Sequence, residues 1–285
     1  MTGRRKIILT VLYALAAGVL FLFLLFPDAA VKTALVRGVE NINPAARLTV
    51  GDVAPVFPPG LKLKDVTVSY RDKVVAGPDY IRLTPAWFSL LGESPRLFFK
   101  TGVFAGVIDG QGRFTEDRLA GADVRISGVR LEGIQYVNDL SPHRLSGAVN
   151  GDLRLTSEKG EIQGTSQLRL SGTTVTLAAP VLDMAVVQFD DIQADLVLSS
   201  RRVEIKSCVF DGQDLDGEFS GNILLRNPFQ NSLLNLKGSI KPQAGLIKRA
   251  GNTLPIEFLM KSEPGDKGFP VRLTGTFQEP RIAFR

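Results

Sequence analysis

The chain has 285 residues, with 34 Lys and Arg against 29 Asp and Glu, one Cys, one His, 28 Gly and 17 Phe. One cysteine rules out an intramolecular disulfide and one histidine rules out a His-rich metal centre, so apolar packing has to hold whatever core forms. Three of the cations stand together at Arg4, Arg5 and Lys6; the remaining 31, set against 29 acids, are scattered and lack the clustered basic face that nucleic-acid binding needs.

Those three cations precede an uncharged run from Ile7 to Phe26, closed by Pro27 and Asp28. Twenty helical residues reach about 30 Å, the hydrocarbon thickness of a bilayer. The run is longer than the apolar stretch of a cleaved signal peptide and lacks a small-x-small site at its end, so it reads as a retained anchor. Basic residues before it and an acid after it put the amino terminus in the cytoplasm. The expected division is a cytoplasmic tail over 1–6, a transmembrane helix over 7–26, a juxtamembrane helix over 27–44 and a periplasmic β-rich domain over 45–285, in a bacterial inner membrane.

From Ala29 to Ile42 the apolar residues Val31, Leu35, Val36, Val39 and Ile42 recur on one helical face, stopped by Asn43-Pro44. Beyond Pro44 the period falls to two. Leu61 to Tyr70 alternates after the turn Phe57-Pro58-Pro59-Gly60, and Tyr80 to Leu83 ends at Thr84-Pro85. A short helical piece, Ala86 to Leu91, follows. From Arg96 strand succeeds strand: 96–101, 102–109, 122–127, 129–137, 145–156, 161–170, 173–177, 186–199, 202–210, 217–226, 232–240, 256–260, 271–277 and 282–284. Turn pairs such as Asp109-Gly110, Asp211-Gly212 and Gly265-Asp266 punctuate them, and Pro242 to Ala250 forms one weakly helical insert. Connections this short favour antiparallel neighbours, since a parallel pair needs a crossover of about a dozen residues.

The strands echo one another. Gly60-Leu61-Lys62-Leu63-Lys64-Asp65-Val66 is matched by Gly128-Val129-Arg130-Leu131-Glu132-Gly133-Ile134 and by the frame of Val187-Gln188-Phe189-Asp190-Asp191-Ile192. Glycines recurring inside strands mark bulges and bends. The expected fold is mainly β: a curved, glycine-rich antiparallel sheet, groove-like or open-barrel-like. One face of that sheet is apolar, and the sequence leaves open whether it closes into an ordinary core or stays open as a groove. The candidate groove residues are Phe98, Phe104, Phe189 and Phe219, with Phe99 pointing away from Phe98.

Catalytic signals are sparse. His143 lies in the turn sequence Leu140-Ser141-Pro142-His143-Arg144, and there is no nucleophile elbow, P-loop or dinucleotide fingerprint. Asp211 to Glu218 fails as a calcium loop because Gly212 and Ile223 fall where Asp and Glu are required. Asp190-Asp191 reads as a strand-edge or turn feature and Cys208 as an inert buried thiol. The expectation is a non-enzyme with no cofactor, no metal and no catalytic residue.

The tail, the anchor and a glycine-rich β domain of this size resemble the type II secretion system protein N (general secretion pathway protein N) family. The frames that carry the likeness are Phe57 to Val66, Thr84-Pro85 to Leu91, Leu215 to Leu225, and Leu273-Thr274-Gly275-Thr276-Phe277 with Pro280. Related frames occur in AsmA-like envelope proteins, which resemble bridge-type lipid carriers and are generally much longer. About fifteen strands at roughly 4.8 Å stack to about 70 Å, short of a span across the whole envelope. The resemblance implies a non-enzymatic component acting through contacts with other secretion subunits. The alternative is an AsmA-like lipid-binding module whose groove takes phospholipid acyl chains.

Overall fold

The computed structural model describes residues 7, 10, 13, 18, 26–42, 44–57, 59–71, 73–115, 118–135, 143–158, 161–181, 184–243, 246 and 268–284. The run Ile7 to Phe26 lies mostly outside them, the 256–260 strand wholly, and six of the nine residues of the Pro242 to Ala250 insert also fall outside. Among the described residues no helix is long and apolar enough to cross a membrane. The membrane span therefore stands as a reading of the sequence. The chain divides into two compact units, Met1–Pro85 and Ala86–Arg285.

The first unit pairs a helix with a small sheet. Helix α1 (Asp28–Ile42) is followed by β1 (Ala46–Val56), β2 (Gly60–Tyr70), β3 (Lys73–Ala76) and β4 (Tyr80–Pro85), with β1, β3 and β4 all antiparallel to β2. Burial follows the 3.6-residue period: Val31, Leu35, Val36 and Val39 are half-buried while Thr33, Ala34, Arg37 and Gly38 are exposed. Val31 and Leu35 pack, with Phe26, on the buried cluster Val53, Leu63 and Val66. Lys32 fixes the helix to β1, its ammonium donating to the Gly51 carbonyl at 2.7 Å while lying 3.6 Å from Asp28. The sequence reading named no strand over Ala46–Val56. Its polar residues point outward, as β1 covers the buried side of β2 with alternate residues only.

The second unit is an antiparallel meander. Its strands are β5 (Arg96–Val103), β6 (Gly106–Thr115), β7 (Arg118–Arg130), β8 (Arg144–Glu158), β9 (Glu161–Val181), β10 (Met184–Ser199), β11 (Arg202–Gly212), β12 (Leu215–Leu224), β13 (Leu233–Pro242), β14 (Phe269–Thr276) and β15 (Pro280–Phe284). Each pairs with the next in chain order. Short 3₁₀ turns lie at Trp87–Leu91, Leu131–Gly133 and Phe229–Asn231.

Three expected breaks are displaced, each for a local reason. The first hairpin turns at Phe104-Ala105, not between Thr101 and Gly102. Both turn residues have positive φ, 50° and 59°, which gives the two-residue mirror-image turn that matches strand twist. The expected strands 161–170 and 173–177 are one strand, β9, bridged by Gly172 at φ 57°. The segment 129–137 stops at Arg130, where the Leu131–Gly133 turn begins.

Three of the ladder irregularities line up across the sheet. Register shifts fall between Ile126 and Val129 on β7, Ser146 and Ala148 on β8, and Phe189 and Asp191 on β10. The residues beside them are partners: Arg130 with Ala148, Ala148 with Ser171, Ser171 with Asp191 and Asp191 with Asp211. A bulge bends its own strand and increases its twist. Lined up between β7 and β11, these irregularities crease the sheet along one line. Glu132 braces that crease, its carboxylate accepting the backbone N–H of Gly147 at 3.1 Å. Backbone donors, first its own N–H and then that of Gly147, hold its carboxyl below the usual range.

Candidate functional site

Register assigns every strand of the second unit one apolar and one polar face. Leu97, Phe99, Thr101 and Val103 on β5 face the same way as Ile108, Val124, Ile126, Leu153 and Leu155 on the next three strands. The row continues through Leu168, Leu170, Ile192, Ala194 and Leu196 to Ile205, Cys208 and Phe210. It ends with Phe219, Ile223, Leu234, Leu236, Val271, Leu273 and Ile282. Most of these side chains are only half-buried, with a few sealed, such as Phe210, Leu234, Leu236 and Val271. Among the described residues, no other element of this unit forms a second layer over the face.

Five strand glycines stand on this apolar face, each opposite a large apolar side chain. Gly110 pairs with Phe99, Gly151 with Leu168, Gly164 with Leu198 and Leu155, Gly217 with Phe210 and Gly238 with Phe219. A Cβ at Gly110 would strike the Asp123 carbonyl oxygen, one at Gly151 that of Gln167, and one at Gly238 that of Glu218. The backbones are thus pinched together on this side, which is how a sheet curves toward its apolar face. The ring of the opposing residue fills the space: a Cβ on Gly238 would lie 2.8 Å from Phe219 Cδ1, and one on Gly110 3.0 Å from Phe99 Cζ. Large side chains laid over bare backbone keep water from the ladder there.

The four candidate phenylalanines do not form one group. Phe189 and Phe219 lie on the apolar face and are joined by Phe210, which the sequence reading did not single out. Phe189 meets Phe210 edge-on at 5.5 Å between centroids, and Phe210 stacks on Phe219 at 5.7 Å. Phe210 is only 7 % exposed and forms the middle of that aromatic row. The signal for it was present as Phe210-Asp211-Gly212, a near copy of Phe189-Asp190-Asp191. Phe104 sits in the β5–β6 turn, over Gly133 of the Leu131–Gly133 turn, and lines no strand. Phe98 is 46 % exposed and stands on the polar face, beside Asp109, Gln111 and Arg125. As expected from alternation, Phe99 points the other way, and it is Phe99 that belongs to the apolar row.

The polar face is laced by cross-strand charges. Arg125 Nε donates to Asp152 at 3.4 Å, Gln111 to Asp123 at 3.1 Å and Arg169 Nε to Asp191 at 2.6 Å. Gln193, which also donates to Asp191 at 2.6 Å, and then Arg169 hold that carboxyl below the usual range. Pairs this exposed contribute about 0–1 kcal/mol each, so their main effect is on register. Farther along, Lys206, Glu218, Asn222, Asn235, Lys237 and Arg272 line an open cleft of about 990 Å³ on the same polar side.

Acidic residues collect where β10, β11 and β12 meet. Asp211 shares a hydrogen bond with Asp216, and that bond, with the charges of Asp216, Asp190 and Asp191, pushes the Asp211 carboxyl above its usual range. Asp216 also accepts the Gly212 N–H at 3.1 Å and takes the Gln243 side-chain amide. A raised carboxyl binds its proton more tightly in the fold, so the repulsion is absent below the unfolded pKa and complete above the folded one. Asp211→Asn is therefore expected to raise the melting temperature at about pH 7 and to leave it unchanged at about pH 3, below the ordinary aspartate range. Thermal melts at the two pH values check this.

The remaining titratable candidates have structural settings. His143 Nδ1 accepts the Ala178 N–H at 3.2 Å. Cys208 is half-buried and unbridged, and burial pushes its thiol up, away from the reactive thiolate. Among the described residues no group of His, Cys, Asp and Glu is arranged to hold a metal. Set against protein-family models, curated proteins and solved structures, the chain matches none. The resemblance to the secretion family rests on its sequence frames alone.

Proposed function

We propose that this chain is a non-enzymatic, membrane-anchored envelope component whose second unit holds acyl chains of phospholipid along its apolar face. The observation that carries this reading is the continuous row from Leu97 and Phe99 to Leu273 and Ile282, largely half-buried and pinched inward by its glycines. A row of that length is more apolar surface than a chain leaves wet without a purpose. The absence of charged side chains from that row suits a ligand recognised by its hydrocarbon, and the sequential meander lets a chain lie across many strands without meeting charge. In this reading the Ile7 to Phe26 run anchors the protein in the inner membrane and the β units face the periplasm.

A second reading, a type II secretion component acting through contacts with other secretion subunits, is favoured by a different feature. Strand β15 is a short edge whose Ile282 is 60 % exposed. An open edge of this kind accepts a partner's strand.

Native mass spectrometry of the full chain, extracted mildly from membranes, tests the two readings. Phospholipid retained in stoichiometric amount after the detergent is stripped is the result expected of an acyl-chain groove. A lipid-free chain that carries an envelope protein in fixed ratio would overturn it in favour of the edge-strand reading.

A further inference from the structure

The second unit opens with a feature that neither its apolar face nor its edge strand uses. In the 3₁₀ turn Trp87–Leu91, Trp87 is 52 % exposed, Phe88 95 %, Leu90 48 % and Leu91 90 %. Four large apolar side chains on five residues, all facing solvent, are costly in water. From Thr84 to Gly92 the chain carries no charge.

We infer that this knuckle is a membrane-interface contact, dipping Trp87, Phe88, Leu90 and Leu91 into the headgroup and upper acyl region of a bilayer. The polar groups of Ala86, Ser89 and the Gly92 N–H already have partners within the chain. The Ser89 N–H donates to the Ala86 carbonyl at 2.7 Å and the Gly92 N–H to the Ser89 carbonyl at 3.1 Å. Ser89 Oγ donates to the Ala86 carbonyl at 2.6 Å and accepts the Arg96 N–H at 2.8 Å, while the Ala86 N–H reaches the Arg96 carbonyl at 3.0 Å. A segment entering lipid has to bring its hydrogen bonds with it, whereas a protein partner would offer new ones. The knuckle's make-up is that of an interfacial anchor, with Trp and Phe at the tip and aliphatic residues beside them. On the membrane-anchored reading proposed above, the chain also brings its own bilayer: the uncharged run that ends at Phe26 precedes Trp87 by 61 residues. The inference concerns a different site from the acyl-chain groove, and either can fail alone.

Trp87 is the one tryptophan of the chain, so its fluorescence reports the knuckle and nothing else. The full chain is reconstituted in vesicles of phosphatidylethanolamine and phosphatidylglycerol, and in the same vesicles with brominated acyl chains. The expected result is a blue-shifted emission that brominated lipid quenches. Phe88→Ser with Leu91→Ser removes two side chains that support no packing, and burial of either is worth at least about tenfold in partition. In that variant the emission returns to its water value and the quenching is lost, with far-ultraviolet circular dichroism unchanged. Water-like emission of the parent in both vesicle types overturns the inference, and so does quenching that survives in the variant. Emission that shifts only when solubilised envelope proteins are added overturns it too, in favour of a protein partner.

Discussion

Gly238→Ala is expected to destabilise the second unit by about 3 kcal/mol or more, in the range of severe overpacking. A methyl group there overlaps the Glu218 carbonyl oxygen on β12 and comes within 2.8 Å of Phe219 Cδ1. The carbonyl belongs to the β12–β13 ladder, in which Phe219 and Gly238 are direct partners, so it cannot withdraw without parting the strands. Phe219 in turn stacks on Phe210, so moving the ring away breaks the aromatic row. Gly92→Ala is the matched control. Its Cβ meets nothing nearer than the Ser89 oxygen at 3.6 Å and its φ of −109° suits any residue. It is expected to change stability by less than about 0.5 kcal/mol. Urea titration of the two variants against the parent decides the matter. Equal, small effects would mean that the strands are not pinched at Gly238, and the curvature argument would lose its basis.

The same glycines explain what the sequence made legible. Alternation and short turns are local signals, so most strands of the second unit and their antiparallel order could be read directly. The echoes of the Gly60 to Val66 frame mark real structural joints: Asp65 has φ of 51°, Leu131–Gly133 is a 3₁₀ turn, and Asp190 lies inside a register shift. What failed was phase. In Leu97-Phe98-Phe99 both phases are apolar, and only their neighbours distinguish them. Arg96 and Lys100 share a face with Phe98, while Leu97, Thr101 and Val103 share one with Phe99. The charges of Arg96 and Lys100, not the ring between them, decide the phase. Phe104 failed differently, because a two-residue turn of non-glycine residues with positive φ has no sequence signature as strong as Asn-Gly. Phe210 is hidden from simple alternation, since the irregularity at Lys206 shifts the β11 register between Ile205 and Cys208 and counting by twos from Val203 puts it on the wrong face.

One pair of carboxylates on the apolar face separates an open groove from a sealed core. Leu170 and Leu196 are half-buried near the middle of the face, on adjacent strands; Leu170 pairs with Val149 and Ile192, and Leu196 with Ser166 and Ile205. Their positions are four residues apart in register, about 13 Å, so the new charges barely repel one another in water. In an open groove each glutamate reaches solvent from a half-exposed site, and the Leu170→Glu, Leu196→Glu variant loses about 1 kcal/mol per position. Strand content stays, while bound phospholipid falls at least about tenfold, since an ionised carboxylate in the path of an acyl chain has to be desolvated. Thr165→Glu with Thr176→Glu makes the control, placing the same two charges on the polar face opposite Arg154 and Arg144. It is expected to keep both fold and lipid. In a sealed core the two buried carboxylates would instead cost several kcal/mol together, and lipid and strand signal would vanish at once. The two measurements, lipid per chain by mass spectrometry and strand content by circular dichroism, are therefore read as a pair. Lipid lost with the sheet intact marks the face as the binding surface. Loss of both in the apolar-face variant, with the control unaffected, marks it as the core of a protein whose partners dock elsewhere.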